Sequence, residues 1–357
     1  MEDINQGPFT LEEIKRAIIG LKCNKSPGID NITAELLKSD PDTAAKQLLP
    51  ILEQVRNTKI LPDDWKRSIL VKIPKKGDLT RCDNYRGISL LSIPGKVLSR
   101  ILVDRISKGI DKILRKEQAG FRHGRGTSEH IFSLRNIIEQ VHEWQATLYV
   151  TFVDFRKAFD SLNREMIWRI LLHYGIPKAL VDIIKEIYRG NMNCVLDNGD
   201  TSDWFQVKTG VRQGCVMSGF IFIIVIDWVM RKTTDGRRTG IRWDLTKLLE
   251  DLDYADDIAL LSSTHTQTQD KNNRLFEYAK NVGLLINTQK TQIMKINPHN
   301  QNPVNIDNKA IEETNDYIYL GSTIDKYGGA ERDIKRSLGL ARCAFASLKQ
   351  RLEIQSL

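Results

Sequence analysis

Apolar positions along the chain alternate between helical and strand spacing, and the changes of period mark out its elements. Thr10-Leu-Glu-Glu13 reads as a capping box opening an amphipathic helix through Ile14, Ile18 and Leu21. A second helical stretch is expected from about Asp42 to Val55, after a loop at Lys25–Asp30. Ser68–Ile73 is a short apolar run closed by Pro74 and predicts a strand, with Lys75-Lys-Gly-Asp78 behind it as a basic turn. From Ile88 to Leu114 the pattern is apolar and mostly helical, with Pro94-Gly95 as punctuation. Gly120–Gly126 is a basic, glycine-rich loop, after which Thr127 is placed to cap a helix carrying Ile131, Leu134, Ile138 and Val141.

Further along, Leu148–Phe155 predicts a short buried strand ending on Asp154. Asn163 opens a helix that stops at Gly175 with Pro177 behind it. Gly210–Gly219 is a loop leading into an apolar helix, Phe220–Met230, and Leu252–Ser262 reads as a hairpin around Ala255-Asp-Asp257. Near the end, Ile334, Leu338, Ala341, Phe345, Leu348 and Leu352 recur at helical spacing, with basic residues mostly on the other faces.

Against this frame two features resist explanation as packing. Asp154 ends a strand that otherwise looks buried, and Asp256 and Asp257 are adjacent inside an apolar hairpin. Carboxylates beside a core are costly unless paired or bound to a cation. The plainer reading of an Asp-Asp pair is a surface turn, but its apolar flanks and the upstream strand-terminal Asp argue otherwise. If the hairpin lies next to the Asp154 strand, the carboxylates face one another, and their repulsion raises at least one pKa unless a divalent cation sits among them. Hard oxygen ligands without His or Cys favour Mg²⁺ or Mn²⁺, and two such ions suit phosphoryl transfer.

Composition narrows the class. The chain has 357 residues, 53 Lys and Arg against 45 Asp and Glu, and a net charge of +8, an ordinary globular balance. Between Arg56 and Arg125 there are 18 Lys and Arg against 7 Asp and Glu, so the basic excess is concentrated as a phosphate backbone requires. Solvated lysines explain the charge equally well on their own. The five cysteines are scattered without zinc-ligand spacing, which favours a reducing, intracellular setting, cytoplasm or nucleus. The N-terminus does not read as a signal peptide, and no apolar run is long enough for a membrane span, so a soluble protein is expected.

Nine blocks carry a resemblance. They are Lys25-Ser-Pro-Gly-Ile-Asp-Asn31, Ile73-Pro-Lys-Lys-Gly-Asp78, Asn84-Tyr-Arg-Gly-Ile-Ser-Leu90 and Glu117-Gln-Ala-Gly-Phe-Arg-His-Gly-Arg-Gly-Thr127. Phe152-Val-Asp-Phe-Arg-Lys-Ala-Phe-Asp160, Gly210-Val-Arg-Gln-Gly-Cys215, Tyr254-Ala-Asp-Asp257, Gly283-Leu-Leu-Ile-Asn-Thr-Gln-Lys-Thr291 and Tyr319-Leu-Gly-Ser-Thr323 follow in order. In that order they resemble the reverse transcriptase domain of non-LTR (LINE-type) retrotransposons over nearly the whole chain.

The resemblance implies an α/β (α+β) right-hand polymerase: N-terminal extension and fingers with the first palm helices over 1–145, an antiparallel-sheet palm over 146–325, and the start of a thumb over 326–357. It implies an RNA-directed DNA polymerase acting on an RNA template, a DNA primer and deoxynucleoside triphosphates with two Mg²⁺ ions, for which Mn²⁺ substitutes. Asp154 and Asp256 would hold the metal with Asp257 beside them, and Lys290 would protonate pyrophosphate. Lys75, or its neighbour Lys76, and Arg86 would clamp the triphosphate. Phe159 would exclude a ribose 2′-hydroxyl, and Gln213 and Gly214 would lie under the incoming nucleotide. Arg122 and Arg125 fit a template-backbone role, and Leu320 and Gly321 lie in the hairpin that grips the primer end. Asp160 reads as a local cap near Asn163.

The chain departs from the family pattern at Val216 and Gly219, where prolines are usual, and at Gly87; loss of those prolines is expected to loosen the loop before the apolar helix. The upstream endonuclease domain of such elements has no counterpart here, and a short thumb would give low processivity. Two competing readings stay open: a catalytically inactive or domesticated nucleic-acid-binding relative, and an RNA-dependent RNA polymerase, against which Phe159 argues.

Overall fold

In a computed structural model of the chain, which describes residues 4–75, 77–243 and 247–355, the Thr10 capping box forms as the pattern requires. The Thr10 hydroxyl accepts from the Glu13 amide at 3.2 Å, and the Glu13 carboxylate accepts from the Thr10 amide at 3.0 Å, opening the helix Leu11–Ile19. The chain divides into two units, each gathered from separated stretches. The first comprises 1–115, 157–228 and 281–284; the second comprises 116–156, 229–280 and 285–357.

In the first unit, strand Arg67–Pro74 pairs antiparallel with Tyr85–Leu91 and parallel with Met192–Asp197, with two short strands completing a five-stranded sheet. The expected helix from Ile88 is corrected here. Residues 88–91 are strand, and the helix is Ile93–Asp111, capped by Ser92 with Pro94 in its first turn. Proline is suited to that position because its missing N–H has no helical partner there. That helix is tied back to the capping box: the buried Arg105 guanidinium grips the Glu13 carboxylate at 2.7 Å and donates to the Gly7 and Pro8 carbonyls at 2.8 Å. Asn163 accepts from the Met166 amide and caps helix Arg164–His173 as expected. The apolar helix starts at Val216, not Phe220, so Val216 and Gly219 lie inside it and do not belong to a loosened loop.

In the second unit, a five-stranded sheet runs in the order Glu312–Glu313, Gln292–Ile296, Leu148–Val153, Asp257–Ser262, Asp251–Tyr254. Its central strand, Leu148–Val153, is buried at every position, and all pairings but the first are antiparallel. Leu134 and Ile138 of helix Thr127–Glu143 pack with Val150, Phe152, Leu261 and Met294 in the core of this unit. That helix is capped by Gly126 without a side-chain bond, so Thr127 is its first residue and not its cap. Helix His265–Asn281 is fastened to the sheet by polar contacts: Lys271 Nζ reaches the Glu250 carboxylate at 2.8 Å, and Asn272 donates to Thr151 Oγ1 at 3.2 Å.

The hairpin Asp316–Tyr319/Ser322–Asp325 turns on Leu320 and Gly321, both with positive φ (51° and 87°), as a two-residue primed turn needs. The last helix, Glu331–Gln355, carries the expected apolar stripe, but Ile334, Leu338, Phe345 and Leu348 are all exposed. All five cysteines are free, and among the described residues no helix is long and apolar enough to cross a membrane.

Candidate active site

Strand pairing brings the carboxylates of the second unit together. The register couples Ile258 with Val153 antiparallel, so the next step outward sets Asp257 opposite Asp154. Asp256 occupies the two-residue turn that precedes Asp257, beside Ala255, whose backbone is left-handed (φ 56°). Desolvation and the charges of Asp256 and Asp154 push the Asp257 carboxyl up to about 6. The mutual repulsion expected from the sequence is therefore present. Among the described residues, no three His, Cys, Asp or Glu side chains stand close enough to hold an ion as they are placed. The donor chemistry nonetheless fits a hard divalent cation: three oxygen-donor carboxylates at a sheet end, with repulsion that such a cation would relieve.

Asp154 is fixed by residues that sequence reasoning did not single out. Asn287 donates from Nδ2 to Asp154 Oδ2 at 3.0 Å, and its amide donates to the Asp154 carbonyl at 2.8 Å. The Asp154 amide donates to Thr291 Oγ1 at 3.2 Å. Both partners lie in the Gly283–Thr291 block, but an Asn and a Thr in a polar loop carry no signal of their own. Lys290 is exposed beside them, its amide bonded to the Asn287 carbonyl at 3.0 Å.

Tyr317 is a second unanticipated neighbour. Its ring stacks on Phe152 with centroids 4.1 Å apart and planes 8° from parallel, one same-face step from Asp154. Desolvation, Asp154 and Asp257 push its phenol up to about 12, so it stays protonated. Tyr319 is buried and donates to the Leu252 carbonyl at 2.8 Å, tying its hairpin to the one that carries Asp256 and Asp257. Leu320 packs on the same core and Gly321 is exposed at the hairpin tip. Arg122 and Arg125 are half-buried and donate to the Gln118 and Lys116 carbonyls, both at 2.9 Å.

The nucleotide-binding candidates all fall in the first unit. Lys75 and Arg86 are exposed on one hairpin, where Ile73 pairs with Arg86; Lys76 lies outside the described residues. Gln213 is pinned from both sides: its carbonyl accepts from the Ser89 amide at 2.9 Å, and its Nε2 donates to the Asp160 carboxylate at 3.1 Å. Asp160 is thus Gln213's partner, which corrects its expected capping role, since Asn163 caps its helix unaided. Desolvation raises the Asp160 carboxyl, opposed by Gln213, Lys157 and Lys75. Gly214 follows with φ 114°, and a Cβ there would meet the Ser89 carbonyl oxygen at 2.8 Å, so only glycine lets this loop lie on the strand. Phe159 stacks on Phe222 at 4.4 Å and is only half-buried.

The family model described as "Reverse transcriptase (RNA-dependent DNA polymerase)" matches residues 73–324. The chain is 28% identical over 261 residues to an uncharacterized 149 kDa protein of transposon TX1 of Xenopus laevis, covering 71% of this chain and 20% of that protein. It is 27% identical over 336 residues to an RNA-directed DNA polymerase from the mobile element jockey of Drosophila melanogaster, covering 89% and 35%. The chain therefore spans from a fifth to about a third of the length of these curated relatives. Among solved structures, apo telomerase of Candida tropicalis, truncated from its C-terminal domain, matches with TM-score 0.52 at 15% identity, covering 85% of this chain and 62% of that one. That likeness bears out the mixed α/β right-hand polymerase fold, and the relatives bear out the expected kinship with retrotransposon reverse transcriptases.

Proposed function

This chain belongs to the reverse transcriptase (RNA-dependent DNA polymerase) family, and from that premise we propose that it extends a DNA primer on an RNA template. The reaction adds a deoxynucleotide to the primer 3′-hydroxyl with release of pyrophosphate, in the service of a LINE-type element whose whole protein also carries an endonuclease domain. The observation that carries this reading is the register that sets Asp257 opposite Asp154 at the end of the central strand, with Asp256 in the adjoining turn.

Asp154 and Asp256 would hold divalent magnesium, with Asp257 beside them, and the cation when bound supplies charge neutralisation at the attacking and leaving oxygens. The remaining work falls to the chain's own groups. Asn287 and Thr291 orient Asp154. Lys75 and Arg86 bind the triphosphate and oppose the charge gathering on the leaving group. The Gln213–Gly214 backbone supports the incoming nucleotide, and Phe159 supplies bulk against a 2′-hydroxyl. Lys290 carries the proton for pyrophosphate, and Arg122, Arg125, Leu320 and Gly321 contact template and primer. Work on such substrates calls for a setting inside the cell, in cytoplasm or nucleus.

The test is primer extension on RNA with Mg²⁺, comparing the wild type with Asp256→Asn. Incorporation by the wild type alone is the expected result. Equal incorporation by both removes the catalytic assignment, and binding without incorporation by either favours a nucleic-acid-binding role.

A further inference from the structure

The geometry points to Gln118 as a positioning residue for the Asp256–Asp257 turn, an inference that rests on the polymerase reading above. Gln118 is fully buried. Its Oε1 accepts from the Ala255 amide at 2.9 Å and from the Gly120 amide at 2.7 Å. Ala255 holds the left-handed backbone that a two-residue hairpin turn needs, and its N–H points out of that turn to Gln118. A side-chain carbonyl from 137 residues upstream fixes the direction of that one amide.

The rest of the segment is built around the same contact. The Asp253 amide donates to the Glu117 carbonyl at 3.2 Å, and the Ala119 amide donates to the Asp253 carbonyl at 2.9 Å, so residues 117–119 run alongside the strand that enters the turn. At Gly120 a Cβ would lie 2.3 Å from the Ala255 nitrogen, so this backbone reaches the turn only without a side chain. Arg122 donates to the Gln118 backbone carbonyl at 2.9 Å.

One detail shows that the acceptor matters at this position. The Gln118 Nε2 is buried and has no hydrogen-bond partner among the described residues. An unmet buried donor is costly, and an apolar side chain of the same length would avoid that cost. Of the two polar atoms of this side chain, it is the carbonyl oxygen that meets the turn. Since Asp256 and Asp257 directly follow Ala255, the direction in which their carboxylates leave the turn depends on that oxygen.

The test compares Gln118→Met, Gln118→Glu and Gly120→Ala with the wild type in two measurements: Mn²⁺ affinity from loss of the free-ion EPR signal, and single-nucleotide incorporation. Methionine keeps the length but loses the acceptor, whereas glutamate keeps the acceptor oxygen. Gln118→Met is expected to weaken Mn²⁺ binding at least fivefold and to lower kcat at least tenfold, with RNA–DNA binding within twofold of wild type. Gln118→Glu, whose carboxyl is kept protonated by burial and so remains neutral like the amide, should stay within threefold of wild type in both measurements. Gly120→Ala, which pushes the same segment off the turn, should reproduce the methionine variant and decides by the same thresholds if that variant is insoluble. The inference is overturned if Gln118→Met binds Mn²⁺ and turns over like the wild type, or if Gln118→Glu is equally impaired. Failure of the wild type itself to incorporate nucleotide would instead remove the polymerase reading, so the two failures are distinguishable.

Discussion

Replacing Asn287 by alanine isolates one contact to Asp154 and gives it a number. The Asn287 amide donates a 3.0 Å hydrogen bond to Asp154 Oδ2. A hydrogen bond to an ionised group contributes about 1.5–3 kcal/mol to stability. Asp154 is half-exposed, so water restores part of the lost interaction and the lower end applies. A loss of about 1.5 kcal/mol corresponds to roughly a tenfold change in an equilibrium constant. That agrees with the roughly 10- to 100-fold loss of metal affinity typical when a partner of a ligating carboxylate is removed. The Thr291 hydroxyl and the backbone bond between residues 287 and 154 do not depend on the amide, so the strand end should keep its place. The expected outcome is an Mg²⁺ half-saturation raised about tenfold, with kcat at saturating Mg²⁺ reduced by a smaller factor. Asn287→Asp sets a carboxylate against Asp154 and should cost more than alanine. The assay is single-nucleotide incorporation on an RNA template across an Mg²⁺ titration, with Tm recorded for each variant. A folded Asn287→Ala enzyme with wild-type Mg²⁺ dependence within a factor of two would refute the reasoning.

Charge governs the pH response and the fastening of the N-terminal helix as well. Because desolvation, Asp256 and Asp154 raise Asp257 from 3.8 to about 6, the folded chain holds that proton more tightly than the unfolded one. The stability it contributes is present below about 3.8 and is lost as pH rises through about 6. In a cation-free buffer Tm should therefore fall across that window, and added Mg²⁺ should raise Tm more at pH 7 than at pH 5; equal increments at the two pH values would contradict this. Arg105→Ala breaks a largely buried ion pair with Glu13 and three bonds to backbone carbonyls, and should cost about 3 kcal/mol, the lower end for such pairs. A urea titration reads this as a lower midpoint, and an unchanged midpoint would show that the pair contributes nothing to folding.

Much of the molecule was legible because its signals are local. The Thr10 capping box, the Asn163 cap and the Leu252–Ser262 hairpin each depend on residues a few positions apart, and each formed. Boundaries failed where one signal supports two structures. An apolar run at 88–91 suits a strand as well as a helix, and Pro94 both ends and begins elements. The three aspartates were visible because a carboxylate beside an apolar run needs a reason. Asn287, Thr291, Tyr317 and Gln118 gave no such sign, since each is an ordinary residue for the segment it occupies.

The sequence by itself determined which side chains carry charge at the end of the buried strand, the elements that present them, and the family to which the ordered blocks point. Only the tertiary structure decided which partners hold them. The Asp154 carboxylate meets an amide 133 residues away, and the Ala255 backbone meets one 137 residues away. Such pairings arise from strand register and backbone approach, which are settled by packing of the whole sheet. No period or cap within a short window encodes them.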